Sequence, residues 1–183
     1  MIAAVPEGAL APVAIVVMGV SGSGKSTLGA LLAEKLGCAF LEGDAFHSPE
    51  AVATMQAGRP LSDEDRWPWL DRIGAALASE VAAHGVVVAA CSALKRVYRD
   101  RLAGALAAPV RFVLLDSDAE TLRGRVSHRA GHFMPPSLLA SQLATLERPQ
   151  PDEAALILDT AATPDHLVHA ALAWLSASRA ARP

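Results

Sequence analysis

The eight residues Gly19-Val20-Ser21-Gly22-Ser23-Gly24-Lys25-Ser26 constrain this chain more than any other stretch. They fulfil the pattern G-x-x-x-x-G-K-[ST], and they stand in the setting that gives the pattern meaning. An apolar run at 13–17 leads in, and leucines 28, 31, 32 and 36 follow at helical spacing. The glycines let successive N–H groups turn inward around an anion, and the following helix offers its positive end to the same anion. Lys25 can reach the β and γ oxygens of a triphosphate. The Ser26 hydroxyl, with Thr27 beside it, suits a hydrated divalent cation such as Mg²⁺. A Gly/Ser-rich turn with no ligand has no use for Lys-Ser at this spacing. A nucleoside triphosphate, ATP or a relative of it, is the expected ligand.

Composition narrows the class. A chain of 183 residues with 52% hydrophobic content and a net charge of −3 can bury a sizeable core, and suits neither disorder nor polyanion binding. Two cysteines, Cys38 and Cys91, are too few for a disulfide framework and fit a reducing compartment. Residues 1–12 carry no basic segment ahead of their apolar residues, and no apolar run nears the roughly 18 residues that span a bilayer. The expectation is a cytoplasmic protein with no nucleic-acid or membrane partner. Residues 1–12 read as a tail and 13–178 as one domain.

Along that stretch, strand and helix patterns alternate. Strands are expected at 13–17, 39–41, 86–90, 111–115 and 156–158. Helices are expected at 25–36, about 69–84, 96–106, 119–128, 138–146 and 164–177. The polar stretch 42–65 is left without an element. Continuous apolar strands alternating with helices imply an α/β fold, a parallel sheet with helices on both faces.

Switch GTPases, motor ATPases and small kinases share such a core. The chain contains no asparagine, so it lacks the Asn-Lys-x-Asp element that reads guanine, and it is too short for motor insertions. A small kinase is favoured. Ligands of open parallel sheets collect at the carboxyl ends of strands, which brings Glu42-Gly43-Asp44 to the transferred phosphate. A kinase acting on an alcohol needs a carboxylate there to take the hydroxyl proton; Asp44 is the candidate, with Glu42 or Asp44 supporting the metal through water. The bland alternative for Asp44 is a turn and cap residue. Asp116 and Asp159 read as strand-end turn residues, and Cys91 as a small buried residue closing a strand rather than a nucleophile.

Longer strings carry a resemblance. Residues 43–49 read Gly-Asp-Ala-Phe-His-Ser-Pro, followed by Met55, Gly58, Pro60-Leu61, Asp63, Asp65-Arg66 and Pro68-Trp69-Leu70. Cys91-Ser92-Ala93-Leu94-Lys95 with Tyr98-Arg99-Asp100, Gly131-His132-Phe133-Met134, and Ser141-Gln142 through Glu147 complete the set. The chain resembles the gluconate kinases from the phosphate loop to about residue 159. One departure stands out: where that family carries Asn and Lys after its histidine, this chain has Ala51 and Thr54. The resemblance implies ATP:D-gluconate 6-phosphotransfer, a shikimate-kinase-like P-loop kinase core in three layers, sheet order 2-3-1-4-5, and a homodimer. It also implies a substrate-binding segment at about 44–70, a lid at about 125–136, and substrate contacts from His132 and Gln142.

Gluconate is a linear polyol with a carboxylate at one end and the reacting hydroxyl at the other. Arg66, Lys95 and Arg99 are the candidate cations for the carboxylate, Lys95 first because it follows a buried strand. His47 can hydrogen-bond a hydroxyl. Arg125 is expected against the adenine, and Arg129 on the phosphates as a catalytic cation beside Lys25 and Asp44. The backbone turn at 159–164 is expected to line the base. The alternatives are a kinase of this fold acting on another sugar acid or hydroxy acid, and a nucleotide-binding regulator that transfers nothing.

Overall fold

The computed structural model describes residues 10–127 and 137–180. Strand β1 (Val13–Met18) is buried at every position, as an unbroken apolar run at the centre of a parallel sheet must be. It pairs on one side with β3 (Val86–Ala90) and on the other with β4 (Val110–Asp116). The outer strands β2 (Ala39–Glu42) and β5 (Ala155–Asp159) pair with β3 and β4. All pairings are parallel and the order is 2-3-1-4-5, as the family resemblance implies.

Alternation along the strands divides the core into two layers. Ala14, Val16 and Met18 pack with Trp69, Ile73 and Leu77 of α3 (Asp63–His84) and with Tyr98 and Leu102 of α4 (Arg96–Gly104). Val13, Ile15 and Val17 face Leu28 and Leu32 of α1 (Lys25–Leu36), and Leu167, Val168 and Leu175 of α7 (Pro164–Ala180). Two further helices, α5 (Ala119–Ser127) and α6 (Ser137–Thr145), contribute Leu122 and Leu139 to a smaller cluster with Val20 and Leu94.

The stretch 42–65 is more ordered than its composition suggests. A 3-10 turn occupies Gly43–Phe46, and α2 spans Pro49–Gln56. The helix expected from about 69 begins at Asp63. Local chemistry explains both. Ser48 caps α2 by accepting from the Ala51 N–H, with Pro49 ideal at the first helical position. Ser62 and Asp65 form a reciprocal capping box that starts α3 ahead of Pro68, a proline inside the helix.

One close approach fixes the geometry of the site. A Cβ on Gly43 would lie 2.1 Å from the Ala90 carbonyl oxygen. Only glycine lets the chain leaving β2 press against the end of β3, and Asp44 follows immediately.

Candidate active site

The phosphate loop joins β1 to α1 through glycines with positive φ: Gly19 at 139°, Gly22 at 82° and Gly24 at 98°. Gly24 occupies the N-cap position of α1 and no side chain caps that end, leaving the helix N-terminus to an anion. The loop is braced by its neighbours. Lys25 Nζ donates to the Val20 carbonyl at 3.0 Å, the Ser21 N–H donates to Gln142 Oε1 at 2.6 Å, and the Gly19 N–H donates to the Ser92 carbonyl at 3.2 Å.

Clefts open on both sides of this loop. The first, about 750 Å³ counted to its open mouth, brings Ser21, Gly22, Gly24, Lys25 and Ser26 against Asp44, His47, Arg66 and Gln142. The second, about 900 Å³ on the same measure, lies between Ser23, Gly24 and Thr27 on one side and Arg125 and Thr160 on the other. Leu28, Leu115, Ala162, Pro164 and Leu167 make its walls apolar, as suits a purine base. Arg125 donates to the Thr160 carbonyl at 3.2 Å, and the Ser117 hydroxyl bonds that of Thr160. The turn expected to line the base thus lies on the second cleft. Val20 is buried beneath the loop. Arg129, His132 and most of the expected lid lie outside the described residues.

His47 stacks on Trp69 with ring centroids 4.3 Å apart and planes 10° from parallel, and Trp69 Nε1 is fixed by the Gly43 carbonyl at 2.8 Å. The ring is held in place, yet its Nδ1 is buried with no hydrogen-bond partner among the described residues. Burial pushes the imidazole pKa down from 6.5 to about 4; Asp44 opposes the shift and Arg66 and Arg72 add to it. His47 is therefore neutral at physiological pH and can exchange a hydrogen bond with a hydroxyl. The depressed pKa also has a stability consequence. As pH falls from 6.5 toward 4 the unfolded chain binds this proton and the folded chain does not, so stability is lost across that window. His47→Gln is expected to lose less stability than the wild type between pH 7 and pH 5 in urea unfolding. Equal losses would show that His47 is not the group responsible.

Three expectations require correction. Arg99 is not a substrate cation. It is 1% exposed, pairs with Glu153 at 2.5 and 2.9 Å, and gives Nη1 to the carbonyls of Ala93, Leu94 and Glu147. A buried charge so engaged does not reach the cleft lining, and losing its partner would cost about 3–5 kcal/mol. Lys95 is not on the lining either: both Asp63 oxygens accept from its Nζ at 2.9 Å, and Tyr98 donates to the same carboxylate. Hydrogen bonds from these two partners, Lys95 first and then Tyr98, hold Asp63 below the usual carboxylate range. Of the two carboxylates offered for the metal, Asp44 is on the cleft lining and Glu42, in the β2 ladder opposite Ala90, is not.

Of the three candidate cations, Arg66 is the one on the lining of the first cleft. Its Nε donates to the Leu61 carbonyl at 3.3 Å, and no acidic side chain among the described residues pairs with it. Ser92, Ser141 and Thr145, which lie in the strings that carry the resemblance but are given no site role there, also line the cleft. Their positions past β3 and on α6 were the available signal. Ala51 packs into a small cluster with Met55, Leu61 and Leu138, and Thr54 bonds its own helix at Glu50, so neither residue is on the lining.

Residues 15–149 match the family model described as AAA domain. A gluconokinase of Gluconobacter oxydans (strain 621H) is 49% identical over 157 residues, 85% of this chain and 87% of that protein. The chain belongs to the gluconokinase family. Among solved structures, a gluconokinase from Sinorhizobium meliloti 1021 superimposes with a TM-score of 0.82 at 48% identity, covering 92% of this chain and 94% of the other. A sugar kinase from Janibacter sp. HTCC2649, unliganded, gives 0.84 at 51% identity over 91% and 96%. Relative to the family pattern, neither the Ala51 nor the Thr54 departure lies on the cleft lining.

Proposed function

We propose that this chain phosphorylates D-gluconate on its 6-hydroxyl, with ATP as donor, by in-line transfer. The observation that carries the reading is that Asp44, Lys25 and Ser26 line one cleft, which also holds an arginine without an acidic partner among the described residues. The base lies in the second cleft, stacked by the apolar walls and Arg125, and the phosphates thread the loop toward the first. Gluconate enters with its carboxylate on Arg66, its hydroxyls along His47 and Gln142, and its 6-hydroxyl at Asp44. Asp44 takes the hydroxyl proton as the oxygen attacks, and Lys25 neutralises charge on the transferring group. Arg129 and His132 act from the lid at about 125–136 in this reading, and 44–70 is the substrate segment of one kinase domain.

Among the described residues no cluster of three or more metal-ligating side chains exists. A cation here would be held by the Ser26 hydroxyl, by Asp44 through water and by the phosphates themselves, an all-oxygen set that fits Mg²⁺. When bound it supplies charge neutralisation on the phosphate oxygens. A cytoplasmic homodimer is part of the same proposal, on the family resemblance. Among the described residues no helix is long and apolar enough to cross a membrane.

Coupled ADP release over a panel of aldonic acids tests the substrate. Arg66→Met removes a charge-assisted contact and should raise the gluconate KM about 10- to 100-fold, leaving the ATP KM near its starting value. Equal weakening of both substrates would move Arg66 to the phosphate site and leave the carboxylate without its proposed partner.

A further inference from the structure

We propose that Ser92 is a specificity-determining residue that hydrogen-bonds the substrate hydroxyl on the carbon next to the one phosphorylated. The inference rests on the gluconate reading above. It begins with topology. β2, β3 and β1 are neighbours in that order, and they lead to Asp44, Ser92 and the phosphate loop respectively. Ser92 thus stands between the proposed base and the phosphate cradle, at the reacting end of the cleft. It is on the lining, and its hydroxyl has no hydrogen-bond partner among the described residues. A hydroxyl can both donate and accept, which matches a polyol.

The main chain around Ser92 is held with unusual thoroughness. Its carbonyl accepts from the Gly19 N–H at 3.2 Å, tying the turn to the phosphate loop. The next residue, Ala93, has φ 42°, the only non-glycine among the described residues with positive φ. Its carbonyl and that of Leu94 accept from Arg99, at 3.2 and 3.3 Å. Leu94 also accepts from the Glu147 N–H at 2.8 Å, and Glu147 Oε2 accepts from the Arg96 N–H at 2.7 Å. A residue is kept in an unfavourable conformation only where its surroundings over-determine it, and such residues gather at functional sites. The buried Arg99–Glu153 pair thus holds in shape the turn that presents Ser92. A site built around a substrate hydroxyl discriminates against an analogue that lacks it, because its own polar group is then left unpaired.

The test compares wild type and Ser92→Ala by steady-state ADP release on gluconate and on 5-deoxygluconate, which lacks the hydroxyl beside the reacting carbon. Ser92→Ala is expected to lose about three- to tenfold in kcat/KM on gluconate, the worth of one neutral hydrogen bond, with the ATP KM unchanged. On the deoxy analogue the two enzymes should agree within about twofold. An equal loss on both substrates, or no loss on gluconate, would overturn the role of Ser92. Wild-type enzyme that fails to turn over gluconate would overturn the functional reading itself, an outcome visible before any variant is compared.

Discussion

Replacing Lys25 by alanine is expected to lower kcat by on the order of 10²–10³, in keeping with the loss of one preorganised charge at a developing anion. Lys25 is the first residue of α1, and its ammonium reaches back to the Val20 carbonyl at 3.0 Å, so it spans the loop that the phosphates would occupy. Alanine favours the helix at that position and opens no cavity in the core, so the fold should survive. The β- and γ-phosphates would still meet the backbone N–H groups and the helix N-terminus. The missing part is the one positive side chain that this loop would bring to the β–γ bridging oxygen, whose bond to the γ-phosphorus breaks. ADP release measured beside a thermal melt checks this. A variant that melts with the wild type yet keeps more than about a tenth of its kcat would contradict the electrostatic role given to Lys25.

The parts of the fold that are legible in the sequence are those in which burial and periodicity coincide. β1 and β3 are continuous apolar runs because both of their faces are covered, and the phosphate loop announces itself by residue type and spacing. α2 and the first turn of α3 are harder to read. Their signals are caps, Ser48-Pro49 and Ser62 with Asp65, within a stretch whose overall polarity looks like a loop.

The site divides along the same line. Asp44 and Ser26 follow from strand ends and loop chemistry. Lys95 and Arg99 are misleading because sequence position shows which strand a cation follows but not which acid claims it. Arg99 finds Glu153 at 54 residues' separation, and Lys95 finds Asp63 at 32. Arg66 is set apart from the other two candidate cations only once those pairings are seen. Ser92 carries no charge, and the string Cys91–Lys95 marks it as part of the resemblance without giving it a role; that role is proposed from the order of three strands.

Asp44→Asn is expected to lower kcat by on the order of 10²–10⁴ with ATP affinity little changed, and it separates a proton acceptor from a structural residue. The competing reading makes Asp44 a turn or cap residue, and the structure speaks to it directly. In the turn Gly43–Phe46 it is the Asp44 main-chain carbonyl that accepts from the His47 N–H, at 3.3 Å, while no described residue donates a hydrogen bond to its carboxylate. Asparagine keeps the shape and the backbone bond, so little stability is at stake. What it loses is basicity and charge at the point where the attacking hydroxyl must give up its proton. Because Gly43 leaves no room beside the Ala90 carbonyl, this turn has little freedom to bring another carboxylate into the same place. The decisive measurements are kcat, the ATP KM and the urea midpoint of the variant. If kcat holds while the midpoint falls, Asp44 is a structural residue and the proton must leave by another route. If kcat collapses with the midpoint unmoved, the carboxylate acts on the substrate.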